Sequence, residues 1–133
     1  MIYEARLLIP ANTAQADAVS TDVSIHPGTM TVLEVLFPTG CAGLVHVQVL
    51  HWHRQIWPNN PNGDFSGNGS PMTFAEDYEV LDPPFFFTVI GWNEDEFYPH
   101  TPIVRFQITP QQPGLLHSLA NLFTGPRLLS GGR

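Results

Sequence analysis

The chain contains no lysine and a single cysteine, and it carries charge on only 13% of its 133 residues. Each shortage excludes something. With five arginines against twelve acidic residues the formal charge is −7, which repels phosphate backbones and anionic bilayers and argues against nucleic acid or a membrane as partner. One cysteine, Cys41, forbids an internal disulfide and leaves no thiolate cluster for zinc; a small buried hydrophobe is the expected role. No stretch approaches the roughly 18 consecutive apolar residues that span a bilayer, and residues 1–20 lack a basic start followed by an apolar run. The expectation is a soluble protein without a signal peptide, in which the sequon Asn68-Gly69-Ser70 carries no message.

What the chain has in quantity is turn residues: thirteen prolines and eleven glycines punctuate it too densely for long helices and suit short strands. A chain of this length buries about two-thirds of its unfolded surface, enough for one core without staples. Period-2 alternation marks Ile2 to Ile9, Val19 to Ile25, Thr29 to Phe37, Leu44 to His53, Thr73 to Leu81, Phe85 to Trp92 and Ile103 to Thr109, with Arg54 to Trp57 continuing or bulging from its predecessor. Pro58 to Pro71 reads as the longest loop. About eight strands at near-regular spacing predict an all-β domain over residues 1–109, an antiparallel β-sandwich or jelly roll.

Residues 110–133 differ in character. Leu115, Leu116, Leu119, Leu122 and Phe123 fall on one face of a helix that Gly125-Pro126 would stop. This arm has no acidic residue and holds Arg127 and Arg133, whereas residues 1–109 hold all twelve acids and three arginines. A cationic arm facing an acidic body is electrostatically favourable.

Several constellations invite a chemical reading. His51 and His53, at i and i+2 on a strand, would point the same way and could share a metal. The spacing resembles the His-x-His of cupins, yet Val45 stands where that family has a glycine, Ile56-Trp57 where it has a glutamate, and the family's second motif is missing. A strand-end histidine pair without metal is the expectation. His26, His100 and His117 read as turn or surface residues. Asp64, Glu94, Asp95 and Glu96 offer hard oxygen ligands but not in a calcium-loop pattern, so a solvated acidic turn is expected. A nucleophile elbow, an H-E-x-x-H pair and a phosphate-cradling glycine loop are all missing. No catalytic residue, cofactor or metal is therefore assigned. Trp52, Trp57 and Trp92 with Tyr78 and Tyr98 could form an aromatic platform for a glycan.

The sheet faces carry a different signal. Along Phe85 to Trp92 both faces are apolar, Phe85, Phe87 and Val89 on one and Phe86, Ile90 and Trp92 on the other. Met30, Val32 and Leu36, and Leu44, Leu50 and Trp52, are expected to extend the second face. A bare patch of that size is rare, so the arm or another subunit should cover it. The expected interface residues are Phe86, Ile90, Trp92, Leu50 and Trp52, with Leu115, Leu119, Leu122, Phe123 and Arg127 of the arm.

Three stretches, Ile2-Tyr3-Glu4-Ala5, Phe37-Pro38-x-Gly40-Cys41-Ala42-Gly43-Leu44 and Trp92-Asn93-Glu94-Asp95, resemble small β-sandwich virion proteins of tailed phages, such as head decoration proteins. The resemblance spans most of residues 1–109. It implies a non-enzymatic structural protein at a virion surface, partnered by copies of itself and by a major capsid or other shell protein. A carbohydrate-binding module is the alternative.

Overall fold

The structure, a computed structural model, describes residues 1–111. They form eight strands: β1 Ile2–Arg6, β2 Val19–Ser24, β3 Gly28–Leu36, β4 Val45–His51, β5 Arg54–Trp57, β6 Met72–Val80, β7 Phe86–Asn93 and β8 Ile103–Pro110, with one 3-10 turn at Gln15–Asp17. The arm residues 112–133, including Leu115, Leu119, Leu122, Phe123, Arg127 and the helix expected there, lie outside the described residues.

Two four-stranded antiparallel sheets pack face to face, in the orders β1-β8-β3-β6 and β2-β7-β4-β5. The pairs β1·β8, β2·β7, β3·β6 and β4·β5 nest around the β4–β5 turn like one long hairpin rolled up, which is the jelly-roll arrangement. The all-β sandwich reading therefore holds, and the order resolves it to the jelly roll.

Alternation explains most of the core. Val45, Val47 and Val49 of β4, Phe87 and Val89 of β7, and Val104, Phe106 and Ile108 of β8 point between the sheets and are essentially inaccessible. The Phe87 and Phe106 rings stack across the two sheets with centroids 4.9 Å apart, a geometry that adds to the area they bury.

One expected face is corrected in β3. Strict alternation puts Met30 outward and Thr31 inward, but Met30 is fully buried. The register slips between Met30 and Val32 against both neighbouring strands, so a β-bulge lets Met30 and Leu33 face the same way. Leu33, Val35 and Phe37 then follow the expected alternation.

The two long edges of the sandwich are closed differently. Regular pairing of β1 ends at Arg6, short of the expected Ile9, because the chain there crosses from one sheet to the other. It stays bonded throughout: Leu7 N–H donates to Pro102 O, Ile9 and His100 exchange both bonds, Asn12 N–H donates to Asp95 O, and Thr13 and Asn93 again exchange both. Leu7 and Ile9 thus fold inward over Gly91. A Cβ on that glycine would stand 2.7 Å from Ile9 Cδ1 and 2.8 Å from the His46 carbonyl oxygen, so only glycine admits the crossing.

At the opposite edge, between β5 and β6, side chains do the closing. Trp57 Nε1–H donates to Glu76 Oε1 at 2.9 Å, a Tyr78–His51 hydrogen bond spans 2.8 Å, and the Phe65 and Phe74 rings stack at 5.5 Å. Trp57, far from solvent at 2% exposure, sets its ring edge against Phe87 and Tyr78.

Candidate functional site

The outward face of the β2-β7-β4-β5 sheet holds part of the second apolar face that sequence periodicity singled out; Met30, Val32 and Leu36, expected to extend it, belong to β3 in the other sheet. On β7, Phe86 and Ile90 are half-buried, as is Leu50 on β4. Register places Ile90 between Ser20 of β2 and Gln48 of β4, and Thr88 between Asp22 and Leu50. The apolar stripe thus runs along β4 and β7, bordered by the polar residues of β2, where Thr88 Oγ1–H donates to Asp22 Oδ1 at 2.7 Å.

Two expected members add no open surface to this face. Trp92 does not contribute open surface: it is 6% exposed, and the His46 imidazole stacks over it at 5.2 Å. Trp52 is not on the sheet face at all. His51 pairs with Arg54, so Trp52 and His53 are the two residues of a tight turn, at φ 55° and 64°. Two-residue hairpins of this twist favour Asn-Gly because both positions need φ > 0; a tryptophan and a histidine there cost about 1 kcal/mol each or slightly more. Trp52 stands 62% exposed.

The same turn corrects the histidine pair. His51 ends the strand with its ring held by Tyr78 Oη and by the Pro84 carbonyl oxygen, 2.9 Å from Nε2. His53 belongs to the turn, so the i, i+2 geometry that would aim both at one metal does not exist. Among the described residues no group of three or more His, Cys, Asp or Glu side chains is placed to hold a metal ion.

His46 has the richer surroundings. Its Nδ1 lies 2.6 Å from Asp64 Oδ1 in the long loop, and its Nε2 lies 2.5 Å from Glu94 Oε2 after β7. The second contact is close but out of line for a hydrogen bond, leaving Nε2 without a partner. Asp64 comes this close because Phe65 bridges to Val47 as a strand extension, with both backbone bonds formed. Gln48 Nε2–H, donating to Gly63 O at 2.7 Å, anchors the same loop.

The acidic turn after β7 is only partly solvated, a second correction. Glu94 and Glu96 are exposed, but Asn93 is fully buried and Asp95 is 9% exposed. Asn93 Nδ2–H donates to the carbonyls of Tyr98, Pro10 and Ile9, and its Oδ1 accepts from Asp95 N–H. Asp95 Oδ1 accepts from Phe97 and Tyr98 N–H, and its Oδ2 sits 2.8 Å from His100 Nε2. The His100 contact first, then these backbone donors, hold the Asp95 carboxyl below its ordinary 3.8. His100, expected at the surface, is therefore drawn into a sequestered contact with Asp95. Both Asp95 oxygens are thus engaged by partners within the protein.

Cys41 is buried; burial first, and the Asp95 charge second, push its thiol above the ordinary 9.0, which keeps it protonated and unreactive. Asn68 Oδ1 accepts from the backbone N–H of Gly40 and Ala42, tying the long loop to the β3–β4 connection. His26 sits in its turn as expected, with Nδ1 2.9 Å from Pro27 O.

The five aromatics of the expected glycan platform are dispersed. Trp57 and Trp92 are buried and Tyr78 is bonded to His51. Trp52 lies beyond the His51 end of β4 and Tyr98 beyond Asn93, which pairs with Val45 at the other end, so β4, about 20 Å long, separates them. Phe97, beside Tyr98, is 80% exposed. No described helix is long and apolar enough to cross a membrane. Compared with known proteins, the chain matches no family model and no curated sequence.

Proposed function

We propose that this protein is a non-enzymatic structural component of a virus or phage particle, decorating or stabilising a capsid through contacts between copies of its sandwich and with a shell protein. The observation that carries the reading is the outward stripe of Phe86, Ile90 and Leu50 on a jelly-roll sheet whose inward face is already filled. A sheet face meant for water alternates to polar residues; this one sets Phe86, Ile90 and Leu50 among Thr88, Gln48 and the polar residues of β2. The jelly roll is an architecture that capsid proteins share with lectins and cupins, so fold alone does not select among them. The stripe supports a protein surface over a sugar, because Trp57 and Trp92 are buried and Trp52 stands at the opposite end of β4 from Tyr98. The virion surface is the location this reading implies.

The test is the mass of the full-length protein by light scattering over a concentration series. The expected result is an oligomer that Ile90→Glu dissociates while the far-ultraviolet circular dichroism stays unchanged. A monomer at every concentration, with no retention on purified shell protein, would reject the proposal.

A further inference from the structure

An open groove of about 680 Å³ lies at one end of the sandwich, lined by Trp52, Leu81, Pro83 and Pro84, with the carboxylates of Glu79 and Asp82 among them. Its apolar members are well exposed, Leu81 at 42% and Trp52 at 62%. Trp52 is also held in the left-handed turn conformation that its side chain disfavours. A large ring kept in a costly position and turned outward points to something it touches.

The course of the chain indicates what that is. Pro110, the last residue of β8, pairs with Gly28, and Gly28 pairs with Val80 at the groove. Gln111 N–H then donates to Pro27 O, so the described chain ends on the groove's side of the molecule. Two strand spacings, about 10 Å, separate the exit from Val80. The stretch from Gln111 to Arg127 is long enough to cover that distance even at the roughly 1.5 Å per residue of a helix. Beyond the exit the sequence is apolar and cationic, with Leu115, Leu119, Leu122, Phe123, Arg127 and Arg133 and no acid. It is complementary to an apolar groove bearing two carboxylates on a body that is net negative.

We infer that the groove is the docking site of the chain's own C-terminal segment, residues 112–133, folded back on the domain that bears it. Apolar side chains of the segment lie against Trp52, Leu81 and the two prolines, and Arg127 or Arg133 meets Glu79 and Asp82. Attachment only about 10 Å away raises the segment's effective concentration at its own groove far above that of any neighbour's segment.

The absence of lysine supplies the experiment. In full-length Arg127→Lys or Arg133→Lys protein the new amine is the only one on any side chain, so carbodiimide coupling reports which carboxylates it touches. The expected result is an amide to Glu79 or Asp82, found by peptide mass spectrometry. It should be lost when both are replaced by Gln and Asn, and confined to single-isotope species when ¹⁴N and ¹⁵N proteins are mixed. Arg127→Glu with Arg133→Glu should increase acrylamide quenching of the exposed tryptophan. Coupling to other carboxylates, no coupling from either position, or mixed-isotope crosslinks would each overturn the inference; the last would mean that the segment docks on a second copy. Oligomeric mass is read separately, so the capsid reading can fail while this one stands.

Discussion

The two long edges of the sandwich solve one problem by different means. Where β1 passes toward β2, backbone closes the gap: residues 1–13 stay hydrogen-bonded to residues 93–108 around the corner. Between β5 and β6 no strand crosses, and Trp57–Glu76, His51–Tyr78 and Phe65–Phe74 span the opening. Backbone closure tolerates changes of side chain except where the crossing demands a particular one, as at Gly91 and Asn93. Side-chain closure depends on the identity of each member, and it leaves room for a groove at its end.

The sharpest way to break this contrast is Trp57→Ala, which removes a buried ring from the side-chain edge and is expected to cost about 3–5 kcal/mol in denaturant unfolding. At the backbone edge, Asn93→Ala removes the donor to the Tyr98 carbonyl, the acceptor of Asp95 N–H and a second donor to the Ile9 and Pro10 carbonyls, for an expected loss of about 2–3 kcal/mol; Leu8→Ala on the same crossing, 63% exposed, should stay within about 0.5 kcal/mol of wild type. Replacing Trp52-His53 by Asn-Gly should move stability the other way, raising it by about 1–2 kcal/mol through relief of the left-handed strain. The smallest effect is a pH dependence. Asp95 titrates below its ordinary 3.8 in the folded protein, so its stabilising contribution is complete above that value and is lost as pH falls through it toward the lower folded value. Asp95→Asn should flatten the acid limb of a stability-versus-pH curve, and an unchanged limb would show that the His100 pair does not matter to folding.

Much of the architecture was legible because alternation is a local signal. β2, β4, β7 and β8 show it without interruption, and their inward residues are those the pattern names. The β3 bulge was not legible, since it arises from registry against two other strands and leaves Met30-Thr31-Val32 looking regular. The turn at Trp52-His53 was hidden by residues that turns seldom use, which drew the strand two residues too long and produced a histidine pair. The candidate surface was half legible: Phe86, Ile90 and Leu50 are where their spacing puts them. Trp92 was misjudged because its cover, His46, is fixed by Asp64 and Glu94 from two different loops. Asn93 looked like part of a wet turn because no short-range pattern announces a side chain that bonds to Ile9 or Pro10; the partners of Asp95, Phe97, Tyr98 and His100, are local but take their places only once that turn folds.

The nested pairing, in which each strand joins the one counted from the opposite end of the chain, also constrains how the molecule comes to exist. Only β4 and β5 can meet across a short loop, and every later pair must close a longer one, β1 and β8 last of all. Loop entropy is therefore lost stepwise outward from a hairpin whose turn is itself strained, which places this chain among the slow, high-contact-order folders. A ribosome releasing it from the N-terminus delivers β1 first and must wait for β8. Until residue 110 emerges, β1 has no strand partner and one flank of β3 remains unpaired, so the hazard of edge-to-edge association is greatest during synthesis and falls when the last strand docks.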